Sequence, residues 1–227
     1  MFSSEASPPT KSERTRAHIR NIALESFRRR GYDATTIRLI AQEAGVSVGT
    51  TNYHFASKNT LVQELYLDVQ QHHRDAALPL LADVKPLIDR LEVVYRTGLD
   101  QLAPYHAHAP EFLSAAVSPR SPINPLSEES APALAIVEGL FREAVEGASD
   151  TLPADVRSAL PHALVLAHLL LALFWVYDSS PEQRRTRALV EQGLRLLKLV
   201  LPLTRVPMLR VPVRQLLALI ADVRAGS

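Results

Sequence analysis

The chain has 227 residues, 47% apolar and 22% charged, which is enough to bury a sizeable core and excludes wholesale disorder. It has no cysteine, which rules out a disulfide scaffold, a thiol nucleophile and a cysteine zinc site, and suits a reducing, cytosolic compartment. The net charge is +1 but uneven: residues 1–60 hold nine Lys/Arg against five Asp/Glu, and residues 61–227 hold sixteen against nineteen.

Residues 1–11 are polar and proline-bearing, read here as a disordered arm without the basic start and apolar run of a secretory signal. The first helix is expected over 11–30, capped by Ser12, with Ile19, Ile22, Ala23 and Phe27 on one stripe and Gly31 as its stop. A short helix over 36–44 places Ile37, Ile40, Ala41 and Ala44 on one face and ends at Gly45, where glycine tolerates a left-handed backbone. Ser47 is placed to cap a third helix over 48–55, and Ser57 a fourth, which carries Leu61, Leu65 and Val69 towards Pro79.

Beyond Pro79 the predicted helices lengthen, over 84–102, 110–117, 131–146, 154–177, 181–201 and 212–224. Three prolines and four serines make 118–130 a loop, read as mobile. Residues 158–177 contain no Asp, Glu, Lys or Arg, but Pro161, His162 and His168 interrupt the run, and a helix buried on all sides is expected rather than a membrane span. Ser180, Pro181 and Gln183 spell a capping box for the next helix. On it Leu189, Gly193, Leu196, Leu197 and Val200 share a side opposite Arg184, Arg187, Glu191, Arg195 and Lys198. The fold class is therefore all-α. A three-helix domain is expected over 12–58, a connecting helix over 59–78 and a larger domain over 79–224.

Residues 36–55 have the spacing of a helix-turn-helix, in which the second helix enters a major groove while the first spans the backbone. The run from Thr36 to Lys58, with Ala44-Gly45-Val46-Ser47, Tyr53-His54-Phe55 and Ser57-Lys58, resembles the DNA-binding domain of the TetR family of transcriptional regulators. The amphipathic first helix ending Arg28-Arg29-Arg30-Gly31-Tyr32 extends the likeness over about 12–70, while the remainder matches only in layout. The resemblance implies a homodimer on a two-fold-related, double-stranded DNA operator, usually repressing, and released when a small molecule occupies the larger domain.

Carried over residue by residue, it implies DNA contacts from Thr36, Ser47, Val48, Gly49, Thr50, Thr51, Asn52, Tyr53, His54 and Lys58. Each assignment has physical sense. Thr36 opens a helix whose N–H groups suit a phosphate, Gly49 permits close approach, and Tyr53 and His54 carry polar tips. Lys58 is a point charge for the backbone, and Lys11, Arg14 and Arg16 form a basic lead-in. Thr51-Asn52 departs from the commoner Leu-Tyr. Asn52 either pairs bidentately with adenine or takes a phosphate, and Thr51 either faces DNA or packs its methyl while its hydroxyl bonds back.

No nucleophile elbow, phosphate loop, zinc-protease or dinucleotide motif is present, so neither an enzyme nor a cofactor is expected. The histidine spacings do not suit a metal. A mainly apolar effector is expected near Tyr95, Phe141, His168 and Trp175, with Arg96 and Arg142 as further candidates for buried charge and 118–130 as a lid. A larger domain that binds a protein partner or nothing, or an activator rather than a repressor, is the alternative.

Overall fold

The structure, a computed structural model, describes residues 10–205, and all its regular elements are helical. Most of the expected arm and the whole helix expected over 212–224 lie outside the described residues.

Helix α1 (Lys11–Ala34) starts two residues earlier than a cap at Ser12 would allow. Thr10 is its cap: the Glu13 N–H donates to the Thr10 hydroxyl, and the Thr10 N–H donates to the Glu13 carboxylate, a complete capping box. Gly31 interrupts α1 rather than ending it, with φ 75° and ψ −171°, and the chain recovers one more turn. Helices α2 (Ile37–Glu43), α3 (Val48–His54) and α4 (Lys58–Leu81) follow, capped by Thr36, Ser47 and Ser57, whose hydroxyls accept from the third N–H of each helix.

The body is α5 (Leu87–Leu102), α6 (Ala109–Ala116), α7 (Ala131–Glu146), α8 (Ala154–Val176) and α9 (Arg184–Val200). A 3₁₀ segment, Ala103–His108, joins α5 to α6.

Two cores form, and α4 belongs to both. Its first half lends Leu61, Val62, Leu65 and Val69 to a head core with Ile19, Ala23, Phe27, Ile40 and Phe55. Its last turns lend Ala77 and Leu81 to a body core with Leu91, Tyr95, Phe141, Val165 and Trp175. The division between head and body is not at 78 alone, because Phe112 of α6 lies edge-on to Phe27 and Tyr32, each at 5.7 Å.

The loop expected to be a mobile lid is an anchor. Ile123 is buried in the head core, and α4 holds its flanks: the Gln63 amide donates to the Pro122 carbonyl at 2.6 Å, and the Tyr66 hydroxyl to the Ile123 carbonyl at 3.0 Å.

The body joins two helix ends through Arg90, which is buried although sequence pattern singled out Arg96 and Arg142 instead; those two are exposed and paired with Glu92 and Glu138. The Arg90 guanidinium donates to the Leu81 and Val84 carbonyls, both at 2.6 Å, to Ala144 at 2.8 Å and to Glu143 at 2.9 Å. It thus supplies donors to carbonyls at the end of α7 and at and just beyond the end of α4, where the helix dipoles favour a cation; the Glu143 carbonyl also keeps its bond from the Gly147 N–H.

Helix α8 is long and apolar enough to cross a membrane by length and composition. It is not buried on all sides as expected: Leu164, Val165, His168, Leu171 and Trp175 face inward, while Leu170, Leu173 and Phe174 are exposed.

The capping box at Ser180 does not form. Residues Pro181–Gln183 make a 3₁₀ turn with left-handed backbone at Glu182 and Gln183, and Asp178 organises the start of α9 instead. One Asp178 carboxylate oxygen accepts from the Ser180 N–H and hydroxyl, the other from the Thr186 N–H and hydroxyl. Burial alone would raise this carboxyl, but the four hydrogen bonds outweigh it and hold the group well below the usual carboxylate range. On α9 the buried residues are Thr186, Val190 and Leu194; the stripe of Leu189, Leu196 and Val200 faces water.

Candidate nucleic-acid interface

Gly45 makes the turn between α2 and α3 with φ 64°, and the Val46 N–H closes it onto the Ala41 carbonyl at 3.0 Å. Ile40, Ala41 and Ala44 are buried beneath, so α3 is fixed by its inner face and its outer face is left to solvent.

That outer face is Val48, Gly49, Asn52 and Tyr53, four residues at the one- and four-residue offsets of a single helical surface. Tyr53 is 82% exposed and its ring meets His54 edge-on at 5.1 Å. A Cβ at Gly49 would approach only the Ser47 hydroxyl, at 3.6 Å, so glycine here lowers the surface rather than relieving a clash. Ser47 is exposed, but its hydroxyl is engaged with the Thr50 N–H and hydroxyl, both at 2.9 Å. Thr36 is exposed at the start of α2 and caps it through the Leu39 N–H at 3.2 Å.

Two sequence assignments are corrected. Thr51 is fully buried (0% exposed), and its hydroxyl donates back to the Ser47 carbonyl at 3.2 Å, so it supports α3 from inside and cannot reach DNA from this position. Lys58 is not a free point charge: its ammonium lies 3.7 Å from the Tyr32 ring centre and donates to the Tyr32 carbonyl at 3.0 Å. Partial burial lowers its pKa, against the pull of Asp33 and Glu111.

The basic lead-in is also divided. Arg16 lies over the Phe55 ring at 4.7 Å and bonds Glu64, which with Asp68 also holds Arg20. Lys11 and Arg14 are exposed and have no acidic partner among the described residues, and Arg38 on α2 joins them. Sequence reasoning missed Arg38, although an arginine two residues into the first helix of the motif was itself a signal.

In the body, three of the four residues expected near an effector meet. The Tyr95 ring lies 5.2 Å from Phe141, and His168 lies 6.4 Å and 6.0 Å from the two. Trp175 is two turns further along α8 in the same core and packs on His106 at 4.8 Å, whose Nε2–H donates to the Trp175 carbonyl. His168 also stacks on His73 of α4 at 6.0 Å, a residue the sequence did not single out for this place. His73 is tied to the Val94 carbonyl at 2.8 Å, but Nδ1 of His168 is buried and has no hydrogen-bond partner among the described residues. Burial, and then His73, push the His168 pKa down to about 3, so the imidazole is neutral.

A helical head whose second motif helix turns a bare face to solvent, set on a larger all-helical body, defines a helix-turn-helix DNA-binding regulator. Residues 19–65 match the family model "Bacterial regulatory proteins, tetR family", and residues 90–217 match "Tetracyclin repressor-like, C-terminal domain". The second covers more than half of the chain, and the protein belongs to the TetR family of transcriptional regulators.

It is similar to the transcriptional regulator UidR of Escherichia coli K12, 34% identical over 27% of this chain and 32% of that one. It is also similar to the transcriptional repressor KstR2 of Mycobacterium tuberculosis H37Rv, 31% identical over 40% of this chain and 46% of that one. The matches thus span a third to a half of these relatives' lengths. In fold it is similar to the TetR-family repressor FadR of Thermus thermophilus, solved in complex with lauroyl-CoA: TM-score 0.60 at 22% identity, over 80% of this chain and 92% of that one.

Proposed function

We propose that this protein is a cytoplasmic repressor that binds a palindromic operator as a homodimer and is released by a small, mainly apolar effector. The observation that carries the reading is the solvent-facing row of Val48, Gly49, Asn52 and Tyr53 on α3, joined in the same head by the exposed Arg38 and Arg14, which have no acidic partner among the described residues. Asn52 presents an amide that can pair with adenine, and the arginines can neutralise phosphates.

The dimer reading draws support from α8 and α9, whose outward Leu170, Leu173, Phe174, Leu189, Leu196 and Leu199 form the apolar surface that a second copy of the pair would cover as a four-helix bundle. Two heads related by that axis would meet two half-sites, hence a palindrome. The effector reading draws support from the orphaned Nδ1 of His168 among Tyr95, Phe141 and His73, to which a guest's hydroxyl or carbonyl would give a partner. The lauroyl chain carried by the FadR ligand fits the same expectation of an apolar guest.

Selection of bound sequences from a random DNA pool, with sedimentation of the protein alone, tests the reading. A two-fold consensus and a micromolar dimer are expected; a monomer that enriches no sequence would end it. The effector is tested by quenching of the single tryptophan, Trp175, together with operator release across a library of apolar compounds.

A further inference from the structure

The break in α1 has an occupant. In an unbroken helix the Arg29 carbonyl would accept from the Asp33 N–H, four residues on. The backbone at Gly31 separates these two groups, and two side chains at the start of α6 take them up. His108 Nε2 lies 3.2 Å from the Arg29 carbonyl, and the Asp33 N–H donates to Oε2 of Glu111 at 3.1 Å. His108 Nδ1 and Glu111 Oε1, 3.3 Å apart, close the ring. The seat exists because residue 31 has no side chain: a Cβ there would overlap both the Glu111 carboxylate and the His108 ring.

The other groups around the break are also engaged. The Tyr32 carbonyl takes the Lys58 ammonium, the Gly31 carbonyl takes the Thr35 hydroxyl at 2.7 Å, and the Tyr32 hydroxyl donates to Asn59 at 2.9 Å. Thr36, the cap of α2, follows directly. The clasp therefore holds the body against the stretch of chain that sets the first helix of the DNA-reading motif.

Its chemistry fixes a charge state. A peptide carbonyl and a carboxylate only accept hydrogen bonds, so both nitrogens of His108 must carry hydrogen for the ring to close, whereas a neutral imidazole carries one. The charged and titratable groups around it are the carboxylates of Glu111 and Asp33, the Lys58 ammonium from α4, the Tyr32 phenol, and the Arg29 guanidinium, which is turned to Glu25 and Glu43.

We infer that His108 and Glu111 are positioning residues that seat the DNA-reading head on the body, through a clasp that is complete only when His108 is an imidazolium. A His108 ring with a single N–H leaves one of the two bonds unmade and loosens the head. The operator side of this inference rests on the function proposed above; the clasp itself does not.

Hydrogen exchange at the Asp33 amide and operator affinity, both followed on the full chain, test it. Glu111→Ala should lower the Asp33 protection factor and the affinity about three- to tenfold each. Glu111→Gln separates the chemistry from mere structure. Its carbonyl can accept from Asp33 and its NH₂ can donate to Nδ1 of a neutral His108, leaving Nε2–H for Arg29, so protection and affinity should persist. An alanine variant with wild-type protection, or a glutamine variant that behaves like the alanine one, overturns the clasp. If protection responds as described but operator affinity does not, the clasp stands and its role in seating the head is wrong. If no operator is bound at all, the proposed function fails and Asp33 exchange still decides the clasp.

Discussion

In the head, α3 turns Asn52 and Tyr53 to water, its inner side is closed by the buried Thr51, and Arg14 of α1 and Arg38 of α2 are exposed without acidic partners among the described residues. In the body, α8 and α9 turn Leu170, Leu173, Leu189 and Leu196 to water, and their inner sides are closed by Leu164, Trp175, Val190 and Leu194. Both regions are helices packed by one face, yet one leaves a hydrogen-bonding surface and the other an oily one. The difference matches what each face would meet: a hydrated polyanion cannot be bound by leucines, and a second protein surface is not held firmly by exposed hydrogen-bonding groups alone. The two regions also hold buried polar groups differently. The head pairs its Ser26 and Thr35 hydroxyls at 3.1 Å, whereas the body holds both an Arg90 with four carbonyl partners and a His168 whose Nδ1 has none among the described residues.

The largest expected effect breaks the body and spares the design of the head. Arg90→Met would leave four carbonyls at the ends of α4 and α7 without their buried donor. At about 1–3 kcal/mol for each buried carbonyl left unsatisfied, the loss comes to about 3–5 kcal/mol, read as a lowered denaturant midpoint. Arg96→Met, on an exposed and simply paired arginine of the same helix, should cost less than about 1 kcal/mol.

Next, Leu196→Asp tests whether the oily face is a seam. Leu196 is 62% exposed, so the change should leave monomer stability within about 1 kcal/mol, yet placing charges at an apolar interface should weaken dimerisation about a hundredfold or more. Sedimentation at micromolar concentration reads the result. A native protein that sediments as a monomer would remove the seam from the comparison altogether.

The unsatisfied histidine gives the third effect. His168 is held neutral with its pKa at about 3, below the roughly 6.5 of an unfolded chain. The unfolded state therefore binds a proton first, so the stabilisation present above about pH 6.5 is lost as pH falls towards 3. One proton changes stability by about 1.4 kcal/mol per pH unit, or about 2 kcal/mol between pH 6.5 and 5. His73, whose pKa burial also lowers, adds to the slope with the same sign. His168→Leu should flatten the profile by the share of one proton, measured by denaturation at each pH.

Legibility divides along the same line. The head reads well from sequence because its signals are local: Thr36, Ser47 and Ser57 cap helices three residues ahead, and Gly45 marks its own turn. Its failures are long-range. Lys58 looks free until the break at Gly31 brings the Tyr32 carbonyl to it from 26 residues away. In the body nearly everything decisive is of that kind. The partners of Arg90 are main-chain carbonyls, which no residue spacing announces. The composition of 118–130 reads as a loose loop, yet Ile123 finds a pocket in the head core. On α9 two apolar stripes exist, and only packing decides that Val190 and Leu194 go inward while Leu196 goes out.

The smallest expected effect separates, within the head, a residue that reads bases from one that meets phosphate. Asn52 projects from the exposed middle of α3, and a bidentate amide–adenine pair would contribute about 1–3 kcal/mol of discrimination between bases. Asn52→Ala should then change the consensus selected from a random pool at one position in each half-site. Arg38 is exposed on the first motif helix, which spans the backbone in this arrangement, so Arg38→Ala should leave the consensus alone. It should instead weaken binding on all sequences alike and reduce the salt slope by about one unit per half-site. Lys58→Ala serves as the contrast, since its ammonium is spent on Tyr32: it should loosen the end of α1 and leave the salt slope nearly unchanged. An unchanged consensus for Asn52→Ala would assign that amide to the backbone. A full unit of slope lost with Lys58→Ala would mean that the ammonium leaves Tyr32 for a phosphate on binding.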